Sequence, residues 1–547
     1  LQTTSMVSKD MPNEALSRIL DDMAFLAELL DENPFKIRAW KNAANVFSEL
    51  SEPVEALVAS GGIKNIEGIG KGTQAIAKEY VESGQVTELE ELRKGFPSEI
   101  LELRQIRGLG AKKIRMLYEQ LSIGSLAELE YACEENRLTE LKGFGEKTQA
   151  SILKNIKEAR SYAGKVILPV ALQEADELLE HLQKLEGISR AEATGDLRRH
   201  SEVLSSIDFL VIGEPTALEK DGFVMDPGRF WRKITERGMQ VRVWCASSSD
   251  FGSRWIETTG PSSFVQSLGK IADFKTEEEL FREKKRKPLP PECRDLSIES
   301  DSLLEEKDIR GVFHLHTTWS DGKNSLEEMV EEAERLGLEY LGVSEHSKSA
   351  FYANGLNEDR VLEQKEEIIR LQKLHPAVRI FHGIESDILA DGSLDYPQNF
   401  LKQFDFVIAS VHGQMKMKKE EMTDRLCGAL ANPFTTWLGH WSGRLLLGRE
   451  GYEFDVEKVL KCAAKHGKAI ELNANPYRLD IDWRILPRAI ELGVGIGIHP
   501  DAHSIGGLKD TKFGVWMARK AGLSTAQVLN TKTRSEMEKW LADRKPL

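Results

Sequence analysis

The chain has 547 residues, 41% hydrophobic and 30% charged, with a formal net charge of −14. This is an ordinary globular mixture with room for three or four domains of about 100–200 residues each. No apolar run approaches the ~18 residues of a membrane span, so no membrane partner is expected. The start, Leu1-Gln2-Thr3-Thr4, has no signal-peptide apolar core. Cys133, Cys245, Cys293, Cys427 and Cys462 show no CxxC spacing, which predicts reduced thiols in a cytoplasmic protein. The negative charge counts against a nucleic-acid partner without excluding one. Helix N-termini bind phosphate through backbone amides, and a carboxylate-rich metal site carries formal charge that its ions cancel.

Residues 13–160 read as successive helices, beginning with the spacing of Leu16, Ile19, Leu20, Met23, Leu26 and Leu29. Three similar segments start at Ile66, Ile106 and Leu141, 40 and 35 residues apart. Each places Gly-hydrophobic-Gly before a helix: Gly68-Ile69-Gly70, Gly108-Leu109-Gly110 and Gly143-Phe144-Gly145. Glycine allows φ > 0 and close backbone approach, and the helix behind it offers free N–H groups. One copy could be a plain helix–helix turn. Three copies, with Lys71, Lys112, Lys113 and Lys147 nearby, point to sequence-independent contact with a nucleic-acid backbone.

Residues 165–250 change to an α/β pattern. Val166-Ile167-Leu168, Ile207–Ile212 and Val241–Trp244 are expected strands. Residues 275–308 are charged and carry Pro288, Pro290, Pro291 and the basic run Lys284-Lys285-Arg286-Lys287, the composition of a linker. From Asp308 onward short strands alternate with longer helices, as in a (β/α) barrel.

Asn33-Pro34-Phe35-Lys36-Ile37-Arg38-Ala39-Trp40 resembles the first-helix motif of the small N-terminal domain in family X DNA polymerases. The three hairpins fall where that family carries its own. The resemblance continues through Gly195-Asp196-Leu197-Arg198-Arg199, similar to the family's Gly-Ser-x-Arg-Arg motif, and then departs from it. The family's Asp-x-Asp aligns with Ser206-Ile207-Asp208, and its third acid, counted back from Phe251-Gly252, with Arg242. The Phe-Thr-Gly-Ser motif becomes Thr258-Thr259-Gly260-Pro261. Polymerases hold two divalent ions between carboxylates and phosphates, and Arg242 brings positive charge where a cation belongs. The palm is therefore expected not to polymerise; Asp196 and Glu202 are the acids that could substitute. Whether such a palm scaffolds DNA or is simply degenerating stays open.

The strongest signal lies further on. His314-Leu315-His316 precedes Thr317–Gly322 with Asp321; then come Glu345-His346, Glu385, His412, His440, and Asp501-Ala502-His503. On a strand, His314 and His316 would share a face. The groups follow expected strands Tyr340–Val343, Arg379–Phe381, Phe406–Ala409 and Val494–Ile498, where barrel active sites gather. Six histidines and three carboxylates so placed are hard to explain by packing. This region resembles the PHP phosphoesterase family along its whole length. The resemblance implies nine metal ligands, His314, His316, Asp321, His346, Glu385, His412, His440, Asp501 and His503, holding three divalent ions, with Glu385 bridging two. Two positions depart from the family: Val312 and Glu345 each stand where an Asp is usual. Mixed His and carboxylate ligands suit Zn²⁺, Mn²⁺ or Fe²⁺. Clustered cations would supply a hydroxide near neutral pH and stabilise phosphoryl charge. Besides Asp321 and Glu385, the candidate catalytic residues are Arg444 and Arg478, as phosphate clamps; Lys348 is a further candidate, and a surface ion pair is the competing account for all three. His499 lies near Asp501 but outside the family's ligand positions, and His181, His200, His375, His382 and His466 read as ordinary.

The expected fold is multidomain: an α-helical helix-hairpin-helix N-terminal part, an α/β polymerase-X-like palm, and a C-terminal distorted (β/α)7 PHP barrel. The expected divisions are 1–90 and 91–164 for two hairpin regions, 165–253 for the palm, 254–290 for a thumb-like remnant, 291–308 for a linker, and 309–547 for the PHP domain. The expected function is a DNA-repair 3′→5′ exonuclease, with abasic-site cleavage as an added activity, acting as a monomer on primed, gapped or single-stranded DNA. A small-molecule phosphatase of the histidinol-phosphatase type, an active polymerase/exonuclease and a non-catalytic DNA-end-binding protein are the alternatives.

Overall fold

The computed structural model describes residues 12–545, apart from 51, 122, 135–137, 139–140, 142, 163, 236–237, 300–301 and 448–449. Residues 1–4 lie outside the described residues. The chain forms two compact units, Leu1–Ala163 and Gly164–Leu547.

The first unit is helical. Helix Pro12–Leu29 buries Leu16, Leu20, Met23, Leu26 and Leu29, and helix Pro34–Glu49 packs on it through Trp40, Ala43 and Phe47. Asn33 caps the second helix by accepting the Phe35 N–H at 2.9 Å, and Pro34 suits the first turn because its φ is already helical. Gly68, Gly108 and Gly143 have φ of +86°, +89° and +90°, which side chains disfavour. Ile69, Leu109 and Phe144 then insert into the core, and helices Lys71–Ser83, Ala111–Leu121 and Glu146–Tyr162 follow.

The second unit begins with a five-stranded mixed sheet, in the order Ile188–Thr194, Ser206–Gly213, Gln240–Ala246, Phe230–Ile234, Val224–Asp226. The central pair, Ser206–Gly213 and Gln240–Ala246, is parallel and sets Asp208 beside Arg242. Of the expected strand Val166-Ile167-Leu168, only Val166–Ile167 pairs, with Val203–Leu204. Leu168 instead opens helix Leu168–Lys184, with Pro169 in its first turn. The stretch 275–308 has a linker's composition, but its Leu280, Phe281 and Cys293 pack with Ile256 and Phe264 of the preceding segment. Its charges find partners: buried Arg294 pairs with Glu277 at 3.0 Å, and Glu292 and Asp295 meet Arg519 and Lys520.

The remainder is a seven-stranded parallel sheet in strict sequence order: Gly311–Val312, Tyr340–His346, Arg379–Asp387, Phe406–Ser410, Trp437–Leu438, Ala469–Asn473 and Ile496–His499. Just past its first and last strands, Leu315 bridges Ala502, with His316 N–H to Ala502 O at 2.8 Å, so the sheet nearly closes. Phe313, Phe381, Phe406, Trp437 and His499 fill the interior. Gly342 makes room: a Cβ there would lie 2.0 Å from the Phe313 ring. Among the described residues no helix is long and apolar enough to cross a membrane.

Candidate metal centre

Every side chain of the centre leaves the C-terminal end of a barrel strand or the loop that follows it. Tyr340–His346 ends on His346, Arg379–Asp387 carries Glu385, and His412, His440 and Asp501-Ala502-His503 lie just beyond the next strands. His314 and His316 are not on a regular strand as expected, because the chain turns at His314, φ +59°. Asp501, across the seam, is also left-handed, φ +52°. Such strained conformations persist where the surroundings over-determine them.

The nine side chains converge in four overlapping groups: His316, Asp321, His346 and His503; His314, Glu385 and His440; His314, His316 and Asp501; His346, Glu385 and His412. Glu385 is central. Its Oε1 lies 2.8 Å from His440 Nε2 and 3.2 Å from both His412 Nε2 and His314 Nε2, and its Oε2 lies 2.9 Å from His346 Nδ1. Asp501 Oδ1 lies 3.3 Å from His316 Nε2, and Asp321 Oδ2 lies 3.4 Å from His346 Nε2. Burial alone would raise the Glu385 and Asp501 carboxyls, but the surrounding imidazoles hold both well below the usual carboxylate range. Burial would lower His346 and His412; the Glu385 carboxylate overrides it and lifts them to about 10 and about 9. His316, buried and facing His346 and His503, falls to about 3.

The donor set fits divalent cations. Nε2 of His314, both ring nitrogens of His316, Nδ1 of His346 and Oε2 of Glu385 are buried without an aligned hydrogen-bond partner among the described residues. Buried polar atoms left so are costly unless a ligand satisfies them. Mixed imidazole and carboxylate donors suit zinc, manganese or iron(II).

A ring of further groups orients these donors. Glu471, absent from the sequence reading, is fully buried between His314 Nδ1 at 2.5 Å and His499 Nδ1 at 3.0 Å, and accepts the His440 backbone N–H at 3.0 Å. Its only local signal is an acid within the apolar strand Ala469–Asn473. Asp387 lies 3.1 Å from His412 Nδ1. Glu345 faces away from the centre, where it accepts from Thr317, Ser320 and Gln364 and ties the His316–Gly322 loop to its strand. Val312 packs in the core.

Residues 313–475 match the PHP domain family, residues 11–86 a helix-hairpin-helix domain, and residues 100–158 a SAM-like helix-hairpin-helix tandem. The DNA polymerase/3'-5' exonuclease PolX of Bacillus subtilis is 32% identical across 97% of this chain and 99% of its own length. The chain belongs to the PolX family. Proteins described as probable phosphatases match the C-terminal part. One from Thermoanaerobacter sp. is 28% identical over 42% of this chain and 94% of its own, and one from Caldicellulosiruptor bescii is 32% identical over 35% and 78%. With its PHP domain, this PolX chain is a hydrolase of the phosphoesterase type.

The two clamp candidates take different places. Arg478 Nε lies 3.4 Å from Asp501 Oδ2, at the edge of the centre. Arg444 instead donates to the carbonyls of Arg478 and Leu479 and to Asp482 at 3.1 Å, so its guanidinium is turned into the loop behind Arg478. Lys348 pairs with Glu358 at 2.7 Å.

In the palm, Arg242 grips Asp208 with two bonds, 2.7 and 2.6 Å, and Asp208 is almost fully buried. Ser206 is buried two residues earlier. Arg198 pairs with Glu277 at 2.6 Å and lies over the Trp255 ring. Arg199 pairs with Asp196 and with Asp295 at 3.1 Å. Glu202, a possible replacement acid, points to the barrel, accepting from Trp483 Nε1 at 2.9 Å.

In the hairpins, a Cβ at Gly70, Gly110 or Gly145 would meet nothing within 4 Å, and Lys71, Lys112 and Lys147 are exposed. Lys113 bends back, its ammonium 3.2 Å from the Gly108 carbonyl and over the Phe144 ring.

Proposed function

We propose that this PolX chain is a DNA phosphodiesterase that trims 3′ ends in DNA repair, a 3′→5′ exonuclease whose palm does not polymerise. The reading is carried by one contrast within a single chain. Nine His, Asp and Glu side chains converge at the barrel mouth, while the palm's remaining acid, Asp208, is sealed by Arg242. The B. subtilis relative's name pairs a polymerase with a 3'-5' exonuclease, and the contrast favours the second activity here.

His314, His316, Asp321, His346, Glu385, His412, His440, Asp501 and His503 would hold three divalent ions, with each Glu385 oxygen facing a different group of histidines. Bound there, the ions supply a water of lowered pKa and neutralise phosphoryl charge. Glu471 and Asp387 fix the ring orientations of His314 and His412. Arg478 offers guanidinium donors to a phosphoryl oxygen at the rim. Gly70, Gly110 and Gly145 leave the hairpin amides open to a DNA backbone, which such amides bind without regard to sequence.

A 5′-labelled primed template incubated with Mn²⁺, with and without the four nucleotides, tests this beside Asp501→Ala. A shortening ladder that disappears in Asp501→Ala is expected; an abasic-site duplex run in parallel reads endonuclease activity. Extension by nucleotides would overturn the account of the palm. Intact DNA together with hydrolysis of p-nitrophenyl phosphate would overturn the DNA substrate in favour of a small monoester.

A further inference from the structure

Glu202 stands three residues after the Gly195–Arg199 motif and is held in the palm by its own carbonyl, which accepts the Leu168 N–H at 3.0 Å. Its buried carboxylate reaches out of the palm. Oε1 accepts from Trp483 Nε1 at 2.9 Å and from Arg484 Nη1 at 3.2 Å, both on the barrel segment that follows Asn473. From Arg484 the contacts continue without a break. Arg484 Nη1 lies 3.0 Å from Asp482 Oδ1, Asp482 Oδ2 accepts from Arg444 Nη1 at 3.1 Å, Arg444 Nε donates to the Arg478 carbonyl at 2.9 Å, and Arg478 Nε lies 3.4 Å from Asp501 Oδ2. A second contact reinforces the first: Lys520 donates to the Arg199 carbonyl at 2.8 Å and sits 4.7 Å over the Trp483 ring.

The first palm contact therefore lands on the loop that presents Arg478, and the second on the Lys520 ammonium that lies against that loop's Trp483. A buried carboxylate with two donors is a stiff anchor, because removing it leaves the buried Trp483 indole N–H without its acceptor and takes away one of the two carboxylates that hold Arg484. We infer that Glu202 is a positioning residue for the PHP centre: the palm's altered nucleotide-binding motif braces the loop that sets Arg478 against Asp501. The palm thus acts on hydrolysis through side-chain geometry, independently of any grip on DNA. The activity part of this inference rests on the proposed hydrolytic function of the centre.

The test uses the full chain, with Glu202→Ala, which removes the oxygen shared by Trp483 and Arg484, and Glu202→Gln, which keeps a neutral carbonyl oxygen for Trp483 without the charge that holds Arg484. The substrate is bis-p-nitrophenyl phosphate with Mn²⁺, too small to engage the hairpins. The expected result is a roughly tenfold fall in kcat for Glu202→Ala with KM little changed, a smaller fall for Glu202→Gln, and no further fall when Glu202→Ala is added to Arg478→Ala. Amide hydrogen exchange across residues 475–484 should rise in both Glu202 variants while strand Ser206–Gly213 stays protected. Losses that simply multiply with Arg478→Ala, or unchanged exchange in 475–484, would overturn the inference. If Glu202→Ala loses protection throughout the second unit, Glu202→Gln decides by the same readings. If the unaltered chain cleaves neither this diester nor DNA, the proposed function falls, and hydrogen exchange alone still decides whether Glu202 braces the loop.

Discussion

Glu471 illustrates what a single residue contributes at this centre. Burial would push its carboxyl up, yet His314 and His499 hold it well below the usual range, so it stays an acceptor for both imidazoles. An acceptor on Nδ1 of His314 leaves Nε2 as the atom turned toward Glu385 and Asp501. Glu471→Ala should therefore weaken metal affinity by roughly 10–100-fold, read by chelator competition, with the fold retained by circular dichroism. Unchanged affinity would mean that His314 is oriented by packing alone. Asp208 and Arg242 show the opposite case, in which a buried carboxylate meets a guanidinium. That Arg242 stands where family X polymerases carry an acid is what the resemblance implies. That the two side chains would close on each other in two bonds required the parallel register of their strands.

At the scale of elements, the strands that could be read were those with unbroken apolar runs, such as Phe406–Ser410. The palm's outer strands Val224–Asp226 and Phe230–Ile234 had no such run, because an edge hairpin leaves much of its surface in solvent. The two-residue strands Gly311–Val312 and Trp437–Leu438 are too short for any periodicity, and the histidines beside them marked the places instead. The three hairpins could be read because glycine at φ near +90° is a local requirement. Their second glycines carry a different demand. Gly110 and Gly145 have open space where a Cβ would go and no positive φ, so the fold itself accepts alanine there. Gly110→Ala with Gly145→Ala should cost no more than about 1 kcal/mol of stability while weakening DNA binding several-fold, measured by fluorescence anisotropy against melting temperature. Unchanged DNA affinity would remove those hairpins from the interface.

For the second unit as a whole, acid should be destabilising in a defined window. Burial holds His382 and His200 at about 4, below the ordinary imidazole value near 6.5. The unfolded chain therefore binds protons below pH 6.5 that the folded chain refuses until about pH 4. Their stabilisation is complete above pH 6.5 and is lost between 6.5 and 4, up to about 3 kcal/mol for each. Neither ring nitrogen of His382 has a hydrogen-bond partner among the described residues, so His382→Leu should flatten the fall of melting temperature across that window; an unchanged slope would show that it titrates normally. By itself the sequence determined the helical first unit and the alternation that builds the barrel, because both are written in local spacing, and its motifs carried the resemblance that singled out the nine converging side chains. Only the tertiary structure decided that Glu471 sits on His314, that Arg444 turns behind Arg478, and that Glu202 reaches Trp483. The physical reason is separation. Glu471 and His314 are 157 residues apart and Glu202 and Trp483 are 281 apart, and contacts of that range leave no periodicity in the chain and arise only when the strands and loops that carry them are packed.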